Sequence, residues 1–470
     1  MISSFPEAAE KAGFSPQRQT YISRSAAENL EQYRPGGFHP VLIGDVIHER
    51  YQIVHKLGYG AFSTVWLAKN LQQEKNKPRY VSIKIVAASE TGKTNESRIL
   101  LHLQARKPSP GNSSSPEKKD GSEIRTGSEF VLDVYSQFLL EGPNGSHQCI
   151  VSEFLGPSIY CALDELGRSS ISSRVVRRLA FQAVCGLSFI HRCGVTHGDL
   201  HLGNLLLYTS AFATWTDADI ERYLGKPDTY PIQRHDGEPI APYAPEYEVV
   251  PADPICLLPL LQLGNDDAGD AAAQVRIADF GEAFLNSSQR RTGVPMAYAA
   301  PEVLRMPLDR PYDRHSPADN QPAATAEPCT DDTRNVSSQP PAPVAGQPSD
   351  IWTLAVGLFE LLSGRMLFPG CGLQGDMVLR QIAGSLNSAE LQNTADSIDG
   401  GGGPIVGMEE RLNLLEVLGR DHDGAGVARR VLRGMLKVNP EERPTAAEVL
   451  EALPSDWGCG RHAGERGART

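Results

Sequence analysis

No stretch of the chain approaches the roughly 18 consecutive apolar residues that a membrane-spanning helix requires. The best candidate, Ile351 to Leu362, is interrupted by Glu360 and reads as a buried helix. The eight cysteines contain no C-x-x-C pair, which argues against a zinc ribbon and, in a chain of 470 residues, against a disulfide framework. Reduced, mostly buried thiols in a cytosolic or nuclear protein are expected. The opening MISSFPEAAEK carries acids early and no apolar stretch, so no secretory signal is expected there. Basic charge is also in deficit, with 45 Lys and Arg against 57 Asp and Glu and a net charge of −12 at pH 7. That balance disfavours direct binding to a nucleic-acid backbone and suits a basic partner.

What is present is enough apolar material for a core, 40% of the residues. The length suits two to four folding units, or one large bilobal domain with insertions. Residues 1–36 are polar and without sustained period, and read as a flexible tail. Strand-like segments follow at Tyr51–Leu57, Thr64–Ala68, Tyr80–Val86, Phe130–Leu140 and Gln148–Phe154, rich in β-branched and aromatic residues. Between them, 106–128 turns to Lys, Ser, Pro and Gly and reads as a flexible loop. From Val175 to His191 the apolar residues recur at three- and four-residue steps, predicting a buried helix. Two more stretches, 208–273 and 309–347, are too long and polar for a compact core, and the second has the composition of a disordered insertion. The fold expected is α+β and bilobal. A small β-rich lobe spans 37–155, a larger helical lobe spans 156–455, and a tail spans 456–470.

Four short motifs carry chemistry. Leu57-Gly58-Tyr59-Gly60-Ala61-Phe62-Ser63-Thr64-Val65 falls in a turn between two strands, where glycines let main-chain N–H groups close over a polyphosphate. Alone this signals only a hairpin. Val81-Ser82-Ile83-Lys84 places one lysine in an apolar strand, and such an ammonium needs an anionic partner. Glu96, in an expected short helix, is the first candidate, and Glu90 the second. His197-Gly198-Asp199-Leu200-His201-Leu202-Gly203-Asn204 can turn Asp199 and Asn204 into one cavity, as a hydroxyl-orienting base and a magnesium ligand. Ile277-Ala278-Asp279-Phe280-Gly281 supplies a second carboxylate directly after a strand, matching the one or two carboxylates that Mg²⁺ takes.

In this order the motifs resemble the eukaryotic protein kinases, together with Ala300-Pro301-Glu302, Ser349-Asp350-Ile351-Trp352 and Arg443 of Glu442-Arg443-Pro444. The chain is similar in particular to the SR-protein kinases, fungal type, through Tyr33-Arg34-Pro35-Gly36-Gly37-Phe38-His39-Pro40, His55-Lys56-Leu57-Gly58-Tyr59-Gly60 and Glu141-Gly142-Pro143-Asn144-Gly145. A long spacer between Asn204 and Asp279 is a further shared habit. The resemblance implies a monomeric, cytoplasmic and nuclear serine/threonine kinase that uses ATP and Mg²⁺. It also implies basic, Arg-Ser-rich protein substrates such as splicing factors, without membrane or direct nucleic-acid contact. By resemblance, Lys84 holds the α- and β-phosphates and is braced by Glu96, Asp199 is the base, and Asn204 and Asp279 bind the metal. Leu57, Gly58, Gly60, Ser63 and Val65 would cover the nucleotide. Glu153 and Leu155 would take adenine on main-chain groups, behind a small gatekeeper, Ser152. Arg443 would pair with Glu302 in a structural ion pair.

The pattern departs in four places. Ser63 replaces a third glycine. Gly198 stands where many kinases have an arginine that grips a phosphorylated activation loop. His201 replaces the catalytic-loop lysine, and Pro295 replaces the threonine that bonds that lysine. Charged, His201 would help to stabilise the transferred phosphoryl group; neutral, it would only bond Asp199 or a carbonyl. Both readings stay open at this point. H-G-D-L-H-x-G-N also resembles small-molecule phosphotransferases of the aminoglycoside and choline kinase type, and a pseudokinase scaffold is a third reading. The A-P-E, S-D-I-W and late-arginine elements weigh against the second. Retention of Lys84, Asp199, Asn204 and Asp279 weighs against the third.

Overall fold

The computed structural model describes residues 20–22, 27–72, 78–108, 126–240, 242–265, 273–285, 292–306, 345–369, 375–388, 406–417 and 422–458. The first lobe is one antiparallel sheet of six strands: β1 (Val46–Ile47), β2 (Tyr51–Gly60), β3 (Ser63–Asn70), β4 (Tyr80–Val86), β5 (Val134–Gly142) and β6 (Gly145–Glu153), in the order β1-β2-β3-β4-β6-β5. Alternation along β4 decides its two faces. Val81, Ile83 and Ile85 pack outward with Ile53, Trp66, Cys149 and Val151. Ser82 and Lys84 therefore face the interlobe cleft. Across that face lies α1 (Glu96–Gln104), whose Glu96, Ile99, Leu100 and Leu103 fall at i, i+3, i+4 and i+7 and are all buried. That periodicity places a carboxylate at the head of an apolar stripe.

The second lobe is built on helices. In chain order those longer than one turn are α2 (Ile159–Leu166), α3 (Ser173–Arg192), α4 (Asp217–Leu224), α5 (Gln347–Ser363), α6 (Gly375–Leu386), α7 (Met408–Val417), α8 (His422–Met435) and α9 (Ala446–Ala452). The Ser172 hydroxyl caps α3 by accepting the N–H groups of Arg174 and Val175 at 3.1 and 3.5 Å. α5 ends at Gly364, whose φ of +70° lets its N–H return to the Glu360 carbonyl at 2.7 Å. Under the cleft, β7 (Leu205–Tyr208) pairs antiparallel with β8 (Gln274–Ile277), which brings Asn204 and Asp279 to neighbouring ends of a two-stranded ribbon.

Three expected tails or loops differ from the sequence reading. Residues 27–36 are not a free tail, because Leu30 and Tyr33 are buried and Glu28 forms a buried ion pair with Lys56 and accepts from the Tyr33 hydroxyl. A lysine in β2 that reaches no solvent needs that carboxylate. Within the 208–273 spacer, 208–240 and 242–265 are folded. Phe212 and Trp215 pack on Phe154 with ring centroids 5.0 and 5.3 Å away. Leu257, Leu258 and Leu261 join the main core. These large side chains sit on or directly after the 3₁₀ segments Ser210–Thr214 and Pro254–Leu261, so no α-helical or strand period announced them. At roughly 2–3 kcal/mol per fully buried large side chain, they can hold a polar-looking segment in place. Past 455, Trp457 is buried, so the chain is packed until 458. The 109–125 part of the first loop, 309–344 of the second insertion and 459–470 lie outside the described residues.

Candidate active site

The cleft between the lobes has a volume of about 580 Å³ and is roofed by Leu57, Gly58, Gly60, Ser63 and Val65. A Cβ at Gly58 would meet nothing within 4 Å, and at Gly60 only the Ser63 hydroxyl at 3.9 Å. Packing within the protein therefore does not demand glycine at either position. Their bareness leaves the main chain open to something in the cleft.

Lys84 rises from β4 to donate to Glu96 Oε1 at 2.7 Å and to Asp279 Oδ1 at 3.2 Å. Burial disfavours its ammonium, but Asp279 and Glu96 outweigh burial and its pKa rises above the ordinary lysine value. The same contact holds the Asp279 carboxyl down to about 2, against the cost of its burial. Asp279 adopts φ +57°, a left-handed conformation that an aspartate tolerates better than a bulky residue and that turns its carboxylate back towards β4. The alternative partner, Glu90, lies in a separate turn before α1.

Asp199 stands on the opposite wall, in a smaller pocket of about 230 Å³ shared with Lys84, Asp279 and Glu282. The Asn204 amide donates to the Asp199 carbonyl at 2.8 Å and to its Oδ2 at 3.1 Å, while Oδ1 is buried with no hydrogen-bond partner among the described residues. Because both amide bonds come from Nδ2, the Asn204 oxygen is left to accept or to ligate. Burial, then the nearby Asp279, push the Asp199 pKa up to about 7. Two carboxylates in one pocket are thus driven apart in pKa, the pattern of an acid–base group beside a permanently charged one.

For His201 the geometry favours the neutral one of the two readings left open. It lines neither pocket. Its Nδ1 accepts the Gly203 N–H at 3.0 Å, which leaves the proton of the neutral ring on Nε2, 3.6 Å from Asp199 Oδ1. Burial, followed by the adjacent His197, lowers its pKa to about 4. A ring that accepts a main-chain hydrogen bond cannot gain a second proton without breaking it, so His201 is held neutral and turned towards Asp199.

Sequence reasoning left two site residues without a role. Asp350, at the head of α5, accepts the N–H groups of His197 and Gly198 at 2.7 and 2.9 Å and receives His191 Nε2 at 3.0 Å. It therefore fixes the main chain from which Asp199 projects. The S-D-I-W string marked the residue, but a partner some 150 positions away carries no local signal. Arg276 of β8 is the second, its Nε donating to Glu153 Oε1 and Oε2 at 3.1 and 3.3 Å. Glu153 and Leu155 do line the cleft, as does Ser152. The Glu153 carboxylate, however, is turned away to Arg276, so only its main chain is available to a ligand. The spacer supplies further wall residues, Leu224, Ala252 and Leu257. Below the site, Arg443 and Glu302 form the expected buried pair, at 2.7 Å for both bonds.

A six-stranded lobe over a helical one, with this cleft between them, is the architecture of a protein kinase. No family model matches the chain. The serine/threonine-protein kinase SRPK of Physarum polycephalum is 30% identical over 363 residues, 75% of this chain and 69% of that protein. Protein kinase dsk1 of Schizosaccharomyces pombe is 34% identical over 185 residues, 38% of this chain and 30% of that protein. Human SRSF protein kinase 3 is 32% identical over 182 residues, 38% of this chain and 29% of that one. The chain thus spans under a third of the latter two relatives. A solved kinase-domain crystal structure aligns over 88% of this chain and 97% of its own, at 17% identity and a TM-score of 0.49. The chain belongs to the SRPK-type family of serine/threonine-protein kinases.

Proposed function

We propose that the protein transfers the γ-phosphoryl group of ATP to a serine or threonine hydroxyl of Arg-Ser-rich proteins. The observation that carries this reading is the pairing of Lys84 with both Glu96 and Asp279, opposite an Asp199 whose Oδ1 has no hydrogen-bond partner among the described residues. The lysine would hold two phosphates and Glu96 would keep it aimed. Asp199, buried yet ionisable near neutrality, would align the acceptor hydroxyl and take its proton. The Asp279 carboxylate and the Asn204 amide oxygen are hard oxygen donors side by side, which fits Mg²⁺ better than a softer metal. When bound, that ion neutralises charge on the phosphates. Leu57, Gly58, Gly60, Ser63 and Val65 exclude water from above.

The net charge of −12 supports a basic substrate, and the same reading takes the protein to be a monomer of the cytoplasm and nucleus. The buried Glu302–Arg443 pair favours a protein kinase over a small-molecule phosphotransferase, since it braces the segment on which a peptide would lie. Phosphate incorporation from ATP into an Arg-Ser peptide, a generic basic protein and an aminoglycoside, assayed side by side, tests this. Incorporation into the peptide well above the other two is expected. Equal labelling of both proteins removes the substrate class, labelling of the aminoglycoside alone favours the small-molecule reading, and no transfer at all leaves a scaffold.

A further inference from the structure

Glu153 presents main chain to the cleft, yet its carboxylate is among the most buried in the lobe, 5% exposed, and Arg276 is 9% exposed. Burying both charges is costly, so the pair must satisfy demanding geometry. It does. Besides Arg276, Glu153 Oε1 accepts the Asp133 N–H at 2.9 Å, and the Glu153 N–H donates to the Asp133 carbonyl at 3.0 Å. The Arg276 guanidinium also donates to Gln274 Oε1 at 3.2 Å and to the Val275 carbonyl at 3.1 Å, and lies 4.2 Å over the Tyr208 ring. One residue further, the Ile277 carbonyl accepts the Leu132 N–H at 3.0 Å. Burial raises the Glu153 carboxyl pKa, and the guanidinium pulls it the other way. Arg276 thus links the carboxylate of Glu153, at the hinge between the lobes, the Tyr208 ring at the end of β7, and its own strand β8, which stops two residues before Asp279.

We infer that Arg276 is a positioning residue for base recognition: by holding the Glu153 carboxylate it fixes the hinge main chain and so sets the preference for adenine over guanine. This rests on the kinase reading above. An adenine N6 amino group donates to a hinge carbonyl, where guanine presents an acceptor instead. The discrimination depends on that carbonyl being held still, because a site that can shift loses its penalty for the wrong partner. Nothing in the pair touches the reacting phosphates, so its loss acts on binding of the base and not on transfer.

The test uses the full chain and competitive displacement of a fluorescent nucleotide by ATP and by GTP, with melting followed for each variant. Arg276→Gln is expected to weaken ATP binding about ten-fold or more while changing GTP by less than about two-fold, so that the ratio collapses. Arg276→Lys, which keeps the charge, should restore most of the ratio. If Arg276→Gln does not fold, the doubly neutral Glu153→Gln/Arg276→Gln leaves no buried unpaired charge and must show the same collapse. Equal weakening of ATP and GTP, or an unchanged ratio, overturns the inference. Wild-type protein that prefers ATP through Arg276 yet transfers no phosphate overturns the kinase reading alone.

Discussion

Arg443 offers the sharpest quantitative test of how the lower lobe is held. All five of its N–H groups are used: two on Glu302 at 2.7 Å, and the others on the carbonyls of Pro348, Lys437 and Val438 at 2.8, 2.8 and 3.2 Å. The guanidinium also lies 5.2 Å over Trp352. The two halves of the pair are therefore unequal. Glu302→Gln leaves Arg443 its three carbonyls and a neutral acceptor, and Ser349 keeps its bond to the side-chain oxygen. Arg443→Met orphans a buried carboxylate and three carbonyls at once. Breaking a buried pair costs about 3–5 kcal/mol, and the extra carbonyls put Arg443→Met at about 4 or more, against about 2 for Glu302→Gln. At about 2 °C per kcal/mol for a large unit, melting should fall by about 8 °C and about 4 °C. The double change Glu302→Gln/Arg443→Met should lie no lower than Arg443→Met alone. Thermal melts of the four proteins, with transfer measured well below the lowest midpoint, check this. Equal losses from the two single changes, or a loss under about 2 °C for Arg443→Met, would refute the reasoning.

Lys84→Ala, Asp199→Ala and Asp279→Ala should each abolish phosphoryl transfer with the fold kept, as judged by turnover and circular dichroism. Near-normal turnover of the Asp199 variant would falsify its role as base. Because Asp199 titrates near pH 7 in the free protein, kcat/KM should fall as pH drops through that value, and a bound cation should move the limb of kcat to lower pH. His201 is neutral above about pH 4, so wild type and His201→Lys should share one alkaline limb, and a limb removed by the lysine would restore the charged reading. Ser152 is small and borders the cleft, so adenine analogues with bulky N6 groups should be accepted, and Ser152→Phe should exclude them while sparing ATP. Asp217→Ala should loosen the spacer from the first lobe, since it removes bonds to Lys69 and Arg79 at 2.8 and 2.9 Å, and limited proteolysis at 208–265 should show it.

The sheet was legible because its strands alternate cleanly: Val81, Ile83 and Ile85 on one face settle where Lys84 points. Glu96 was legible because the apolar residues of α1 recur at helical spacing from it. What could not be read were partnerships across long stretches of chain. Lys56 in β2 looks like a surface lysine until Glu28, in a segment without any period, closes on it. The spacer hides its core in single aromatic residues set among turns, Phe212 and Trp215 among them, and a periodicity argument has nothing to fasten on. His201 was legible as a departure but not as a tautomer, because the deciding bond comes from its own loop, from Gly203.

The departures at Gly198 and His201 follow from how the catalytic loop is packed. Gly198 takes φ +78°, and a Cβ there would come within 2.7 Å of the Glu282 carbonyl, so the loop leaves no room for a side chain that could reach a phosphorylated residue. Asp350 holds the main chain of this loop from below, and His197 spans to the Ala278 carbonyl at 3.1 Å. The segment after Pro295 is likewise tied inward: the Tyr298 hydroxyl donates to the buried Glu360, and Glu302 is clasped by Arg443. Tyr298 in turn backs the His201 ring, with centroids 5.6 Å apart. The neutral imidazole lies between the Tyr298 ring and Asp199, with Nε2 3.6 Å from Oδ1. Bonds made by unmodified side chains thus hold the main chain around Asp199 and the segment at Tyr298 and Glu302.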